Sequence, residues 1–351
     1  GFHRDLHLSI RRQRQMCIRD RYKSQRKIMD QIPDFLQIKD LETTVNSVTD
    51  FIKNEVFEKF QKSGAVLGLS GGIDSAVTCG LCVKSLNPEK ILGLIMPERE
   101  SDPQSQETAE NVGKEFNIET KVVDITNILE SFGVYEKKEN IVKEKFPDFD
   151  SECKYRVVVP PKLESSVGIP YLEILDGKGI THQTKISSSE FLNLTAATSI
   201  KHRVRMALLY YHAEKDHLVV AGTTNKSEYM QGYFVKYGDG GSDIEPLVNL
   251  YKSQIYQLGK FLNVPNEVIS KDASPDVWSY TTNDEEFFYS VPYEIVDLIL
   301  YGRENNLSIN EIQKHSKISI ENIEKLLKFQ DQKHIKSNHM REMPHGWLPD
   351  F

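Results

Sequence analysis

AVLGLSGGIDSAV, residues Ala65 to Val77, is the stretch that decides the fold. Ala65 to Leu69 is a short apolar run and reads as a buried strand. Ser70-Gly71-Gly72 interrupts it, and Asp74 to Leu86 reads as a helix that Asn87-Pro88 ends. A glycine turn between a strand and a helix lies at the carboxyl end of a parallel strand, where open α/β sheets bind ligands. The glycines let backbone N–H groups approach an anion, and the helix start adds free donors and partial positive charge. Ser70 and Ser75 add hydroxyls. Asp74 repels bare phosphate, which makes sense where a divalent cation lies between them. The turn reads as a phosphate cradle; the plainer alternative is a glycine turn with Ser or Asp capping the helix. It is not a Walker loop, which needs a lysine after its second glycine.

The pattern continues on both sides. Leu41, Val45, Val48, Ile52, Val56 and Phe60 recur three or four apart, giving an amphipathic helix over Asp40 to Lys62 that Gly64 stops. Lys90 to Met96 is a second strand. Ser101 with Pro103 opens another helix, Ser101 as its capping residue, and Thr120 to Ile125 is a third strand. From about 147 to 189 the chain is rich in Pro, Gly, Ser and Lys; short strands or a hairpin fit there and a helix does not. Helix resumes over Ala196 to Lys215, the strand LVVAGT follows at Leu218, and another helix starts near Asn225. After the polar loop KYGDGGSD, Lys236 to Asp243, the rest is mostly helical: Tyr251–Leu262, Val291–Tyr301, Ile309–His315 and Ile318–Phe329. Strands alternating with helices predict an α/β fold with a doubly wound parallel sheet, an inserted loop or subdomain and a helical C-terminal region.

Composition narrows the class. With 351 residues, 39% hydrophobic and 27% charged, the chain suits one large α/β domain. No apolar run approaches the roughly 20 residues of a membrane-spanning helix. Cys17, Cys79, Cys82 and Cys153 are irregularly spaced, which points to a reducing cytoplasm and not a disulfide framework. Cys79 and Cys82 have CxxC spacing but fall inside an apolar helix, which favours core packing. Residues 1–30 carry nine Lys/Arg against three Asp/Glu, so the remaining chain is strongly acidic within a total of −7. That balance argues against a nucleic-acid partner. QRQMCIRDR, Gln13 to Arg21, has no amphipathic period and resembles translated sequencing-adapter read-through. Residues 1–24 are therefore set aside as a non-native or disordered tail, leaving a domain over 25–345 and a short tail over 346–351.

SGGxDS after an apolar strand resembles the pyrophosphate loop of the ATP pyrophosphatases, the PP-loop or adenine nucleotide alpha hydrolase-like superfamily. The second half resembles one member of it. GTTNKSEYMQGYFVKYGDGGSDIEPLVNLYKSQIYQLGKFLNVP, Gly222 to Pro265, is similar to the signature region of ammonia-dependent NAD synthetases, and SIKHRVRM, Ser199 to Met206, is similar to their Lys-Ala-Arg-x-Arg-Met helix. The resemblance implies a cytoplasmic homodimer that amidates nicotinic acid adenine dinucleotide with ATP, Mg²⁺ and ammonia. It implies that Gly68, Leu69, Ser70, Gly71, Gly72, Ile73, Asp74 and Ser75 hold the ATP phosphates, and that Thr223, Lys252 and Ser274 contact ATP. Asp74 and Glu228 would bind magnesium. Arg203, Lys236, Asp243, His339 and Met340 would face the deamido dinucleotide, with Phe234 against the nicotinate ring. No stretch before Asp40 is long enough for a glutaminase domain, so ammonia would arrive free or from another protein.

These roles suit the reaction. A carboxylate attacks the α-phosphate of ATP, two acids hold the cation that offsets the charge, and Lys252 offsets charge on the departing pyrophosphate. Each residue also has a plainer reading. Lys236 and Asp243 suit a solvated turn, Glu228 a surface acid, Ser274 a turn before proline, and Arg203 a helix ion pair. Asp284-Glu285-Glu286 reads as a solvated or capping acid run.

Three departures fall on the acceptor side: Met340 stands where the resembling family has lysine, His202 stands where it has alanine, and residues 147–189 stand in place of a short loop. Methionine neither donates a hydrogen bond nor carries charge, so that contact is lost unless Arg341 or a residue of the insertion replaces it. Three readings follow: an NAD synthetase; a related adenylating amide ligase with another carboxylate, such as a sugar acid or nucleotide; and a non-catalytic or RNA-modifying relative.

Overall fold

A computed structural model describes residues 33–159, 169–274, 276–284, 288–289 and 291–346. Residues 1–24 and 347–351, with Glu285 and Glu286 of the acid run, lie outside them.

The described chain runs α1 (Leu41–Lys53), β1 (Gly64–Gly68), α2 (Ile73–Leu86), β2 (Ile91–Ile95), α3 (Pro103–Glu115), β3 (Glu119–Val122), α4 (Thr126–Ser131) and α5 (Val134–Lys145). Then come β4 (Lys154–Val158), β5 (Tyr171–Leu175), β6 (Thr181–Lys185), α6 (Ser188–Asp216), β7 (Leu218–Val220), α7 (Lys226–Gln231), α8 (Lys252–Phe261) and α9 (Asn266–Ser270). The C-terminal helices are α10 (Tyr293–Glu304), α11 (Ile309–Ser316), α12 (Ile320–Lys336) and α13 (Asn338–Arg341). α1 continues through a wider π-type turn, Asn54–Lys59.

Four strands form a parallel sheet in the order β3-β2-β1-β7. β1 is central, and its side chains alternate between two cores. Ala65 and Leu67 join α1, α2, α3 and α8 on one face through Val45, Ile52, Val77, Val112 and Ile255. Val66 joins α4, α5 and α6 on the other through Leu129, Val134, Val204 and Leu209. Helices on both faces explain why the strand reads as a continuous apolar run. The doubly wound sheet expected from the sequence is present.

Three local expectations change. α3 is capped by Asp102, whose side chain accepts from Gln104 N; the Ser101 hydroxyl instead accepts from Glu98 N at 3.2 Å. α6 begins at Ser188, ahead of Ala196, because Ser187 and Glu190 form a reciprocal capping box. α4 and α5 fill a stretch to which no helix was assigned; α5 buries Val134, Tyr135, Lys138 and Val142 on one side of a charged sequence.

The region at 147–189 contains β4, β5 and β6, a three-stranded antiparallel sheet. Tyr155, Val157, Leu172 and Ile174 face a small core with Val142 of α5, Leu194 of α6 and Trp278. A fourth core of α10, α11 and α12 gathers Tyr293, Ile299, Ile312, Ile323 and Leu326 around Leu36 and Tyr251.

Candidate active site

The turn after β1 is built as a cradle. Gly71 has φ +76°, and a Cβ there would lie 2.4 Å from the Ser105 carbonyl oxygen, so this position requires glycine. Gly72 N donates to Ser70 Oγ at 3.2 Å, and Ser75 Oγ donates to Gly72 O at 3.0 Å. Gly72 caps α2 without a side-chain hydrogen bond, so the helix N-terminus keeps free donors. Gly68 ends β1, Leu69 N is bonded to Leu94 O in the sheet, and the Leu69 and Ile73 side chains are buried.

Asp74, the second residue of α2, meets two other elements. Lys252, which opens α8, donates to Asp74 Oδ2, and its Nζ lies 3.6 Å from Glu228 Oε1. Asn225 Nδ2 donates to Asp74 Oδ1 at 2.8 Å. Asn225 also caps α7 and exchanges bonds with Glu228, whose Oε2 accepts from Asn225 N at 3.2 Å. One Glu228 oxygen is thus committed to the cap, and the other faces the lysine. Burial and the Asp74 charge push the Glu228 carboxyl well above its ordinary range, against the pull of Lys252. Burial opposes charge on Lys252, but Asp74 and Glu228 outweigh it and hold the ammonium protonated.

The donor chemistry fits a hard divalent cation. Two carboxylates converge on one positive charge, and Glu228 is destabilised as an anion until a cation compensates it. Among the described residues no group of three or more His, Cys, Asp or Glu side chains forms a metal cage. Mg²⁺ needs none, since it commonly keeps water and phosphate oxygens beside one or two carboxylates.

The other proposed contacts are distributed unevenly. Thr223 is half-buried where the chain leaves β7. The Ser274 hydroxyl is used within its own loop, donating to Thr282 O at 2.8 Å. Asp243 is bonded twice, accepting from Tyr210 Oη at 2.8 Å and from Val220 N at 2.8 Å. Lys236 Nζ donates to the carbonyls of His339 at 2.7 Å and Glu342 at 2.9 Å, and Arg203 Nε donates to Lys236 O at 3.3 Å. Phe234 is 8% exposed and runs parallel to Tyr229 at 5.8 Å. A Cβ at Gly240 would meet its ring at 2.3 Å, so Phe234 anchors the loop. His202 lies under the same loop, 3.4 Å from Asp239, and burial lowers its pKa. His339 is exposed and Met340 partly so. The Arg341 guanidinium donates to the Tyr229 carbonyl at 2.8 Å and the His334 carbonyl at 2.6 Å.

Sequence reasoning missed two features. Asp284 is not a solvated acid: it is 5% exposed, and Tyr233 and Tyr293 each donate to it at 2.9 Å. The second is a buried ionic cluster. Lys201 Nζ meets Glu98 Oε1 at 2.6 Å and Glu100 Oε2 at 2.5 Å, while Lys138 Nζ meets the same Glu100 oxygen at 2.5 Å. Both lysines also donate to Val277 O, and Tyr155 Oη donates to Glu100. Burial and the Lys201 charge push Lys138 down to about 7. Burial opposes charge on Glu100, yet the two lysines hold it down at about 2. Nothing in the local pattern marks these residues, because the pairing crosses four elements. Cys79 and Cys82 are buried, and burial pushes their thiols up, Cys82 to about 12.

Comparison with known proteins places the chain. The NAD synthase family matches residues 44–159 and 163–344. The chain belongs to this family. An NH(3)-dependent NAD(+) synthetase of Mesorhizobium japonicum is 34% identical over 306 residues, 87% of this chain and 96% of that protein. One from Methanocaldococcus jannaschii is 36% identical over 305 residues, again 87% and 96%. Two solved structures share the fold. The NMN synthetase of Francisella tularensis has a TM-score of 0.61 and 26% identity over 90% of this chain and all (100%) of that one. The NH3-dependent NAD synthetase of Campylobacter jejuni has a TM-score of 0.58 and 26% identity over 88% and 100%. The NAD synthase match runs through most of residues 147–189, the stretch read from sequence as an insertion. Among the described residues no helix is long and apolar enough to cross a membrane.

Proposed function

We propose that this NAD synthase family member is an ammonia-dependent ligase that uses ATP to convert nicotinic acid adenine dinucleotide to NAD, with AMP and pyrophosphate as the other products. The observation that carries this reading is the convergence of Asp74, Glu228 and Lys252 beside the Ser70–Ser75 turn. The acceptor carboxylate oxygen attacks the α-phosphorus, the bond from that phosphorus to the bridging oxygen breaks, and pyrophosphate leaves. Ammonia then attacks the acyl carbon of the adenylate, AMP departs with the carbon–oxygen electron pair, and a proton is released.

The turn orients the phosphates through backbone N–H groups and the α2 N-terminus. Lys252 supplies positive charge where pyrophosphate departs. Asp74 and Glu228 would hold Mg²⁺, which when bound neutralises charge on phosphate oxygens. No covalent enzyme intermediate is needed, so catalysis rests on positioning and electrostatics. Arg203, Lys236, Asp243, Phe234, His339 and Met340 form the acceptor side in this reading, and Thr223 and Ser274 the nucleotide side. A cytoplasmic homodimer supplied with free ammonia is the form proposed.

A second reading keeps the chemistry and changes the acceptor to nicotinic acid mononucleotide. Met340, the commitment of Arg341 to backbone carbonyls and the likeness to an NMN synthetase favour it. One experiment separates the two. Purified protein is given ATP, Mg²⁺ and ammonium with either acceptor, and pyrophosphate and amide product are measured. Greater turnover of the dinucleotide supports the first reading. No stimulation by the dinucleotide, with turnover of the mononucleotide, overturns it in favour of the second.

A further inference from the structure

We infer that Asp297, on α10, is a positioning residue that holds Glu228 and Lys252 in register with each other and with Asp74. Its side chain is fully buried, at 0% exposure, and both oxygens are used. Oδ1 accepts from Ser227 Oγ at 2.5 Å, and Oδ2 accepts from Ser253 N at 2.8 Å. Ser227 Oγ in turn accepts from Lys252 N at 3.1 Å. Ser227 immediately precedes Glu228, and Ser253 immediately follows Lys252. One carboxylate from a third helix therefore ties the first turn of α7 to the first turn of α8, beside the two side chains that meet Asp74.

The local sequence explains why this tie is needed. α8 has Tyr251 at its N-cap, which supplies no side-chain oxygen to the helix. The Lys252 and Ser253 N–H groups are orphan donors of a helix start. Asp297 takes one directly and the other through Ser227, and its negative charge lies at the positive end of the α8 dipole. Burial pushes its carboxyl up to about 6, with the bonds from Ser227 and Ser253 working against that shift. A core residue that only filled space would need no carboxylate. This one aligns a glutamate and a lysine whose separation matters to the cation and the departing phosphate.

The inference rests on the ligase reading, so its test is anchored on ATP binding, which does not depend on the acceptor. Asp297→Asn keeps the volume but supplies one acceptor oxygen where two are used. Ser227→Ala leaves Asp297 in place and removes the link to the Glu228 turn together with the acceptor of Lys252 N. In the full chain, calorimetric binding of ATP with Mg²⁺ and no acceptor is expected to weaken at least about tenfold in each variant. In turnover, kcat falls by a similar factor while the acceptor KM stays within about twofold. The double variant is expected to lose clearly less than the sum of the two single losses, because both changes break the Asp297–Ser227 bond. Unchanged ATP–Mg²⁺ binding and kcat in folded Asp297→Asn overturns the inference, and so does strict additivity of the two changes. Where Asp297→Asn does not fold, Ser227→Ala with unchanged binding and kcat overturns it equally. A wild-type protein that binds ATP–Mg²⁺ but amidates neither nucleotide contradicts the ligase reading and leaves the binding test of Asp297 standing.

Discussion

Replacing Glu100 by Gln removes the anion on which two buried lysines converge. Lys138 and Lys201 both lie 2.5 Å from Glu100 Oε2, and the Glu100 side chain is 5% exposed. Its pKa of about 2, against an ordinary 4.5, records how strongly the folded state favours the charged form. That depression corresponds to about 3 kcal/mol at pH 7. An independent expectation for breaking a buried ion pair from one side is about 3–5 kcal/mol. The two agree, so the variant is expected to lose about 3 kcal/mol.

The pH dependence has a definite sign. The folded value lies below the unfolded one, so the contribution is complete above the unfolded pKa of 4.5 and drains as pH falls toward 2. The Glu100 contribution alone weakens by about 1 kcal/mol between pH 7 and pH 4, while Lys138, held at about 7, takes up its proton over the same span and lacks its partner in the variant. Urea unfolding followed by tryptophan fluorescence measures the loss, and Trp278 is well placed, with Lys138 Nζ 4.6 Å from its ring. A variant within about 1 kcal/mol of wild type at pH 7 would refute the argument.

Further outcomes follow from the site. Asp74→Asn removes one of two acids facing Lys252 and should lower pyrophosphate release at least about a hundredfold; retained activity excludes the metal role. Chelating divalent cations should stop pyrophosphate release and added Mg²⁺ should restore it, whereas turnover in chelator rejects a role for the carboxylate pair in holding a cation. Gly71→Ala places a methyl group 2.4 Å from Ser105 O at φ +76°, so ATP KM should rise severalfold with little change in acceptor KM. An ATP KM equal to wild type in that variant shows that the cradle does not depend on this close approach. Met340→Lys should lower KM for the dinucleotide; no improvement means that position 340 does not limit this acceptor.

The Ser70–Ser75 turn and the Asn225–Glu228 cap were legible because their signals are local. A strand, a glycine turn and a helix start lie within residues 65–77, and Asn225 with Glu228 has the spacing of a capping box. The parallel sheet was legible for the same reason, since buried strands and amphipathic helices carry their own periods. Other features depend on distant partners. Asp284 looks like part of an exposed acid run until Tyr233 and Tyr293 enclose it. Lys138 sits among charged residues of α5 and becomes buried only because Glu100, Lys201 and Val277 arrive from three other segments. Asp297 shows no motif at all, and its role appears only when α7, α8 and α10 are brought together. The first turns of α6 are hard to see in sequence because their polar capping box resembles the loop before it.

The proposed acceptor half differs from the proposed ATP half in what binding must change. Gly72 N-caps α2 without spending side-chain acceptors, so phosphate can meet donors that are already free. Lys236 is spent on the His339 and Glu342 carbonyls, Arg203 on Lys236 O, and Asp243 on Tyr210 and Val220 N. An acceptor that engages these groups exchanges hydrogen bonds and does not simply add them, so the net gain per contact is the modest difference between two bonded states. Because Lys236 holds residues 339 and 342, that exchange also bears on the short α13 segment that contains Met340. A lysine at 340 would bring a charge that makes no such exchange. On the proposed assignment of these residues to the acceptor, acceptor choice turns on whether the substrate can displace the 339–342 backbone from Lys236.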